Sequence, residues 1–436
     1  MTRLSAIMLA ALLLIPVAGT GFAQSVYACT DLDSGQSQQM IEGDGGVFYR
    51  VDPDMNLHQP FSDETVDQIA LLSQALAARG TTLFYIPLPT KSLAMPDQLP
   101  QRATDYGFDP AMATTLYVEA LGRLREKGVQ TADVRRAMRV AADQPPSFFA
   151  TDYRITALGA KREAKAIADA MAQSASFADL PKNKFESRSA GPVTLQSTMR
   201  SALQRRCLIE LPQVTTETFT TTRVSAGPAV ANNAVFGNRG DGARVTIVGT
   251  ENDGDATANL AGFLSEFSGL DVAQYAVSGG GSFAAISSYL TSREFRDAPP
   301  TYLIWTNPVE NNLAAVGDQP MRELITAAAD NCRVALPLAA ASTPNSVAAD
   351  LSGLDPGQSY TLMVESEGSN ATSARFDFRA ADGLIRSKSI YRNPTQVKTG
   401  RFYMPMSGLW PTGVQSVDIQ LDVPFGATAR VTACFD

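Results

Sequence analysis

The chain has 436 residues, a formal net charge of −8, and apolar and charged fractions of 44% and 18%. That is length for two or three domains with a sizeable core, in an ordinary soluble composition. A surplus of acid on this scale argues against nucleic acid or anionic membranes as partners, since both attract basic surfaces, although a local basic cleft for an acidic ligand is compatible with it.

In chain order, the first signal is for export. Arg3 precedes an apolar core from Ile7 to Val17, and Gly21-Phe22-Ala23 offers small residues for cleavage before Gln24. Residues 1–23 are therefore expected to be a cleaved signal peptide, and no later run is long and apolar enough to predict a transmembrane segment in the mature chain. An oxidising compartment gives the four cysteines, Cys29, Cys207, Cys332 and Cys434, three possible pairings. The nested choice, Cys29–Cys207 with Cys332–Cys434, would staple two parts separately. None has CxxC spacing, so neither a metal nor a redox site is expected, and no motif calls for a cofactor.

IEGDGGVFYR (41–50) predicts a turn between short strands. Ser62 caps a helix with Asp63 and Glu64 in its first turn, Val66, Ile69, Leu72 and Leu76 on one face and Gly80 at its end. A strand follows over 81–87. Asp109-Pro110 opens a helix that closes near Gly128, and another covers about 156–173. Residues 174–240, with TTETFTTT, are expected to form loops and extended strands. RVTIVGTENDGDATAN (244–259) is the organising stretch, with a buried strand over 245–248, a Gly249-Thr250 turn, and then Leu260, Phe263, Leu264 and Phe267 at helical spacing from Ala258. Further strands (271–277, 301–305) alternate with helices (282–290, 319–329), with Ser282 expected to cap the first of these. This alternation predicts an α/β fold with a parallel sheet in three layers. From Asn331 the pattern changes to alternating runs such as SYTLMVES and SVDIQLDV, which predicts a small antiparallel β-sandwich over 331–436.

Several stretches carry a resemblance. IEGDGGVFYR, LSQALAARGTTLFYIPLPTKSLAMPDQLP with its Pro-x-Lys loop, TDYRITALGAKREAKAIADAM, VGTENDGDATANLAGFLSEFSGLDVAQYAVSGGGSF and PPTYLIWTNPVENN together resemble the periplasmic alginate O-acetyltransferases, the AlgX/AlgJ group of SGNH hydrolase-like proteins. The resemblance covers essentially the whole mature chain. It implies an SGNH-like domain over 24–330 followed by a carbohydrate-binding β-sandwich, and in the family member with such a module the cysteines pair in the nested way. It further implies a periplasmic role in acidic exopolysaccharide biosynthesis or O-acetylation, with an alginate-like polysaccharide and other periplasmic polysaccharide-export proteins as partners.

The departures from the family pattern fall on its chemistry. Asp152 matches the family aspartate, but Arg154 stands where the family histidine should be, Glu251 replaces the nucleophilic serine, and Trp305-Thr306 replaces a Trp-Glu dipeptide. Guanidinium is not a general base, and a carboxylate cannot replace the serine alkoxide. The expected site is an ion-paired cluster of Asp152, Arg154 and Glu251, close to the backbone N–H groups of Gly279 to Gly281, with Gly280 at the oxyanion position or merely in a tight turn. The single histidine, His58, reads as a surface residue. The leading expectation is a polysaccharide-binding relative without triad catalysis. The alternatives are an active O-acetyltransferase with a non-standard site, recruiting His58, and a hydrolase using Asp152 and Glu251 as a carboxylate pair. In the sandwich, Lys388, Arg392, Lys398, Arg401, Tyr403 and Trp410 lie within 23 residues. They read either as a uronate-binding set or as a solvated surface with Trp410 in the core.

Overall fold

The computed structural model describes residues 25–34, 38–58, 62–141, 143–224, 244–250, 256–340, 343–380, 382–411, 414–426 and 428–435. Glu251 lies outside them.

A short antiparallel pair, β1 (Met40–Glu42) and β2 (Phe48–Arg50), brackets the expected glycine turn. Helix α1 (Asp63–Ala77) starts where Ser62 Oγ accepts from Thr65 N at 3.2 Å. Strand β3 (Thr82–Leu88) follows, then the short α2 (Lys91–Ala94). Asp109 accepts from the amides of Ala111 and Met112 at 2.8 and 3.0 Å to open α3 (Pro110–Glu126). After α4 (Val134–Met138), Thr156 caps α5 (Ala157–Met171).

The polar region expected as loops and strands contains a long antiparallel pair, β4 (Phe185–Thr194) with β5 (Thr215–Arg223), but also an unforeseen helix, α6 (Thr198–Gln204). Seven residues are too few for helical periodicity to stand out. β6 (Arg244–Gly249) is followed by α7 (Leu260–Ser268), which begins two residues later than the apolar run suggested because Asn259 sits in the left-handed region at φ 53°. β7 (Asp271–Ala276), α8 (Ala284–Leu290), α9 (Arg293–Asp297), β8 (Tyr302–Pro308) and α10 (Gln319–Ala329) complete the alternation. Ser282 does not cap α8. Phe283 occupies the cap position without a side-chain bond, and the carbonyl of Ser282 instead accepts from Trp305 Nε1 at 3.2 Å.

The four strands β3-β8-β6-β7 form the expected sheet, and all three of its pairings are parallel. One face packs against α1, α8 and α10 through Leu72, Ile286 and Leu324, the other against α5 and α7 through Ile167 and Phe263. β3, β6 and β8 are buried and read as largely apolar runs because both faces are covered, while the edge strand β7 is half-buried.

From Cys332 the described chain is strands alone. These are β9 (Cys332–Ala335), β10 (Leu338–Ala340), β11 (Ser346–Asp350), β12 (Tyr360–Ser366), β13 (Ser373–Ala380), β14 (Ile385–Tyr391), β15 (Arg401–Pro405), β16 (Val414–Leu421) and β17 (Ala429–Phe435). They form two antiparallel sheets, β10-β11-β16-β13-β14 and β15-β12-β17-β9, around an apolar centre that includes Leu362, Phe376 and Ile419. The disulfides are Cys29–Cys207 and Cys332–Cys434. Tyr403 on β15 joins the same apolar cluster as α1 and α10, so the sandwich is packed onto the α/β layers.

Candidate functional site

The loop 147–156 leads into α5 and is closed on itself, with Phe149 N donating to Arg154 O at 3.2 Å and Thr156 N to Ser147 O at 2.9 Å. A side chain on Gly159, in the first turn of α5, would place its Cβ 2.2 Å from Ser147 O, so glycine permits this approach. The buried Lys91 fixes the other side. Its Nζ donates to the carbonyls of Phe48, Phe149, Ala150 and Asp152 at 2.7, 2.5, 3.0 and 3.1 Å. Burial pushes this ammonium down to about 7, while Asp54 and Asp152 act to keep its proton.

Within this loop Arg154 grips Asp152 with both edges of its guanidinium, Nε to Oδ1 at 2.9 Å and Nη2 to Oδ2 at 3.1 Å, and its backbone N–H donates to the same Oδ1 at 2.9 Å. Nη2 also donates to Gln196 O at 2.8 Å. Burial alone would raise the Asp152 carboxyl, but hydrogen bonds from Arg154 and Ser197 outweigh it and hold the group below the usual carboxylate range. Two members of the expected cluster are thus in direct contact. The third, Glu251, is not described.

A cleft of about 230 Å³ opens at the carboxyl ends of the sheet. Thr250 follows β6, Val277, Gly279 and Gly281 follow β7, and Pro308, Glu310 and Asn311 lie at the end of β8, with Arg50 and Tyr153 opposite. Open α/β sheets bind ligands at this end. Arg50 donates to Asp54 through Nε at 3.2 Å and Nη2 at 3.3 Å, and to Glu310 at 3.5 Å, and its guanidinium lies 4.8 Å from the Tyr153 ring centroid. Burial raises the Glu310 carboxyl above its ordinary value, with Arg50 opposing. Gly280 sits in the turn after β7, its N–H donating to Val277 O at 3.1 Å. His58 is half-buried, its Nε2 2.7 Å from Pro53 O. Thr306 is fully buried and donates to Val248 O at 3.3 Å. A larger groove of about 600 Å³, lined in part by Arg136, Lys161, Lys165 and Phe267, shares no residue with the cleft.

The sandwich residues separate. Tyr403 and Arg401 are 3% and 5% exposed. Arg401 is bound to Glu365, Nε to Oε1 at 3.0 Å, and Arg296 of α9 shares that carboxylate at 3.3 Å. Arg392 forms a two-pronged pair with the buried Glu323 of α10, to which Tyr403 N also donates at 3.3 Å. Trp410 is partly buried against Tyr360, with Nε1 donating to Val414 O at 3.1 Å. Lys398 folds back onto Pro394 O. Lys388 is exposed on β14, which is an edge strand. Sequence reasoning missed Arg50, Tyr153 and Glu310. The one available signal was an acid two residues past the end of a buried parallel strand.

A family model described as "SGNH hydrolase-like domain, acetyltransferase AlgX" matches residues 43–309. The alginate biosynthesis protein AlgX of Pseudomonas aeruginosa is 31% identical over 266 residues, 61% of this chain and 55% of that protein. The chain thus spans about half the length of the curated relatives it matches. Among solved structures, Pseudomonas aeruginosa AlgX superposes with a TM-score of 0.75 at 23% identity, covering 92% of this chain and 94% of that one. The O-acetyltransferase domain of Pseudomonas putida AlgJ gives 0.50 at 20% identity, covering 66% and 98%. At these identities the two structures speak to the fold.

Proposed function

The chain belongs to the AlgX family of SGNH hydrolase-like acetyltransferase domains, and from that premise we propose that it is an exported, polysaccharide-binding member serving alginate-type exopolysaccharide biosynthesis and O-acetylation without triad catalysis. The alginate assignment follows the names of its relatives. A cleaved leader over 1–23, a periplasmic location, domains over 24–330 and 331–436, and other export proteins as partners belong to the same reading, and the two disulfides suit that compartment.

The observation that carries the proposal is the bidentate hold of Arg154 on Asp152. In a Ser-His-Asp arrangement the acid orients an imidazole that moves the proton. Here the acid is saturated by a cation that cannot give up its own proton, so the relay has no base even if a nucleophile were supplied at 251.

The test is hydrolysis of p-nitrophenyl acetate and transfer of its acetyl group to oligomannuronate. The native chain and Glu251→Ser are expected to show neither above background. Glu251→Ser combined with Arg154→His is expected to restore measurable turnover. Turnover by the native chain that is abolished in Glu251→Ala would establish the active, non-standard enzyme instead. Retention of the full chain on immobilised alginate, weakened by salt, reads the binding half of the proposal.

A further inference from the structure

The larger groove, between α4 and α5, is a basic trough on an acidic protein. Arg136, Lys161, Arg162 and Lys165 line it against two acids, Asp133 and Asp169. Arg135 pairs with Asp133 at 3.1 Å and Glu266 approaches Lys161 at 3.9 Å, which adds one charge of each sign and leaves the excess of cations unchanged. The chain as a whole carries −8, so the excess is local, and a local field of one sign draws the opposite charge.

Most of these cations are not spent on carboxylates. Arg136 is exposed and forms no ion pair with any described residue. Arg162 donates to neutral acceptors, Ser147 Oγ at 3.0 Å and Pro145 O at 2.8 Å. The Lys161 ammonium lies 5.2 and 5.8 Å from the ring centroids of Phe263 and Phe267, and its 3.9 Å approach to Glu266 is too long for a charged hydrogen bond. Lys165 has a close acid in Asp169, at 2.6 Å, but both are exposed and such a pair is weak.

The rest of the lining is apolar. On α5 the positions Leu158, Lys161, Lys165 and Asp169 fall on one stripe, while Ala160, Ala164, Ile167 and Met171 are buried on another face. At 1.5 Å per residue the stripe runs about 16 Å. Ala137 of α4, Leu158, Ala166 and Phe267 supply the uncharged surface, and no hydroxyl or amide side chain is among the described lining residues. A chain of sugar hydroxyls would shed water there with few groups to replace it. Carboxylates on an apolar body meet the opposite situation, with cations at the rim and carbon beneath.

We propose that this groove docks an acidic amphipathic helix of a partner protein, with carboxylates on Arg136, Lys161 and Lys165 and an apolar ridge on Ala137, Leu158 and Phe267. Lys161 and Lys165 are separated by a rise of about 6 Å, the same rise as two acids four residues apart on the docking helix. A concave seat between two helices fits a helical ridge, whereas a lipid surface would reach only the tips of the cations. The groove shares no residue with the cleft at the sheet ends, and its assignment does not draw on the polysaccharide reading.

The test titrates the full mature chain calorimetrically with a synthetic peptide of about 18 residues, long enough to form a helix, with leucines at helical spacing and glutamates beside them. Its control has every glutamate replaced by glutamine. Wild type is expected to bind the acidic peptide at least about 10-fold more tightly than the control, with the advantage shrinking as salt rises. Arg136→Glu, at an exposed position, is expected to weaken the acidic peptide about 3- to 10-fold, the loss of one attraction and the gain of one repulsion, and Lys161→Ala about 2- to 5-fold. Arg162 is left unchanged because it also holds the start of the loop that carries Asp152. No binding of the acidic peptide, equal binding of the glutamine control, or an unchanged affinity in Arg136→Glu overturns the proposal. Two further arms use hexamannuronate and vesicles containing phosphatidylglycerol. Binding of either that falls in Arg136→Glu would assign the groove to the polymer or to a lipid surface and overturn the helix. Binding of neither, or binding indifferent to Arg136→Glu, supports it.

Discussion

Arg154 turns its guanidinium onto an acid two residues away, while Arg392 and Arg401 reach acids separated from them by 69 and 36 residues. The first pair closes a loop at the mouth of the sheet. Arg392 and its acid Glu323 bridge the sandwich and the α/β layers, and the Arg401 acid Glu365 takes Arg296 of α9 as a second partner. In the sequence Arg154 reads as a substituted triad position, and Arg392 and Arg401 as candidate glycan contacts. The difference lies in what faces them. A paired cation at a loop shapes a site, whereas a paired cation between two packed layers sets how they dock and is no longer available to a glycan.

The strongest way to break the comparison is at its loop end. Lys91→Met leaves four carbonyls without their shared donor and is expected to destabilise the protein by about 3–5 kcal/mol, read by chemical denaturation. If the loop were held mainly by its own hydrogen bonds, the loss would stay below about 1 kcal/mol. The docking end is tested by Glu323→Ala, which strands Arg392 in a buried site and should cost about 3 kcal/mol. Calorimetry should then resolve two transitions instead of one, with the sandwich released from the α/β layers.

An intermediate effect is expected from Gly159→Ala. Its Cβ would meet a backbone carbonyl, and the helix propensity gained by alanine is only about 1 kcal/mol. A net loss of about 1–2 kcal/mol in thermal unfolding would show that the loop and not the helix dictates the residue. Arg154→Ala probes the same loop through pH. The folded-state pKa of Asp152 is depressed, so its contribution to stability is present above the unfolded carboxylate pKa and is lost as pH falls through the folded one. Removing Arg154 should diminish that acid-limb loss, and an unchanged acid limb would mean that Ser197 and the backbone amide alone hold the carboxylate.

The layers of the fold were legible because both periodicities were strong. The apolar positions of α1 recur at helical spacing, and β6 and β8 are short apolar runs between turns. Asp152 and Arg154 were legible as a pair because they fall on the aspartate and histidine positions of the family they resemble. The contact between Arg50 and Glu310 was not, since 260 residues separate them and no local spacing encodes the approach. The burial of Arg401 and Tyr403 was hidden for a related reason. Strand alternation shows that a strand has two faces, but not which face a neighbouring helix will cover.

The smallest expected effect on stability belongs to Lys388, and it sharpens the comparison by asking what the sandwich surface does once its arginines are committed elsewhere. Lys388 is exposed on the edge strand β14, opposite Phe376 in the register. Its replacement by alanine should change stability by less than about 0.5 kcal/mol, as for surface positions in general. If uronates are held there by exposed charge, Lys388→Ala and Lys398→Ala should each reduce retention on immobilised alginate at low salt by about 2- to 5-fold, and the reduction should fade as salt rises and screens the interaction. Trp410→Ala is the contrasting case. Its ring packs against Tyr360 and its indole N–H is already donated to Val414 O, so it should lower stability by about 2–4 kcal/mol. A Trp410→Ala chain that kept full stability but lost retention would place the glycan on the indole and move the binding face away from β14. Unchanged retention in both lysine variants and in Trp410→Ala would remove the sandwich from the binding proposal and leave the α/β layers as the polysaccharide contact.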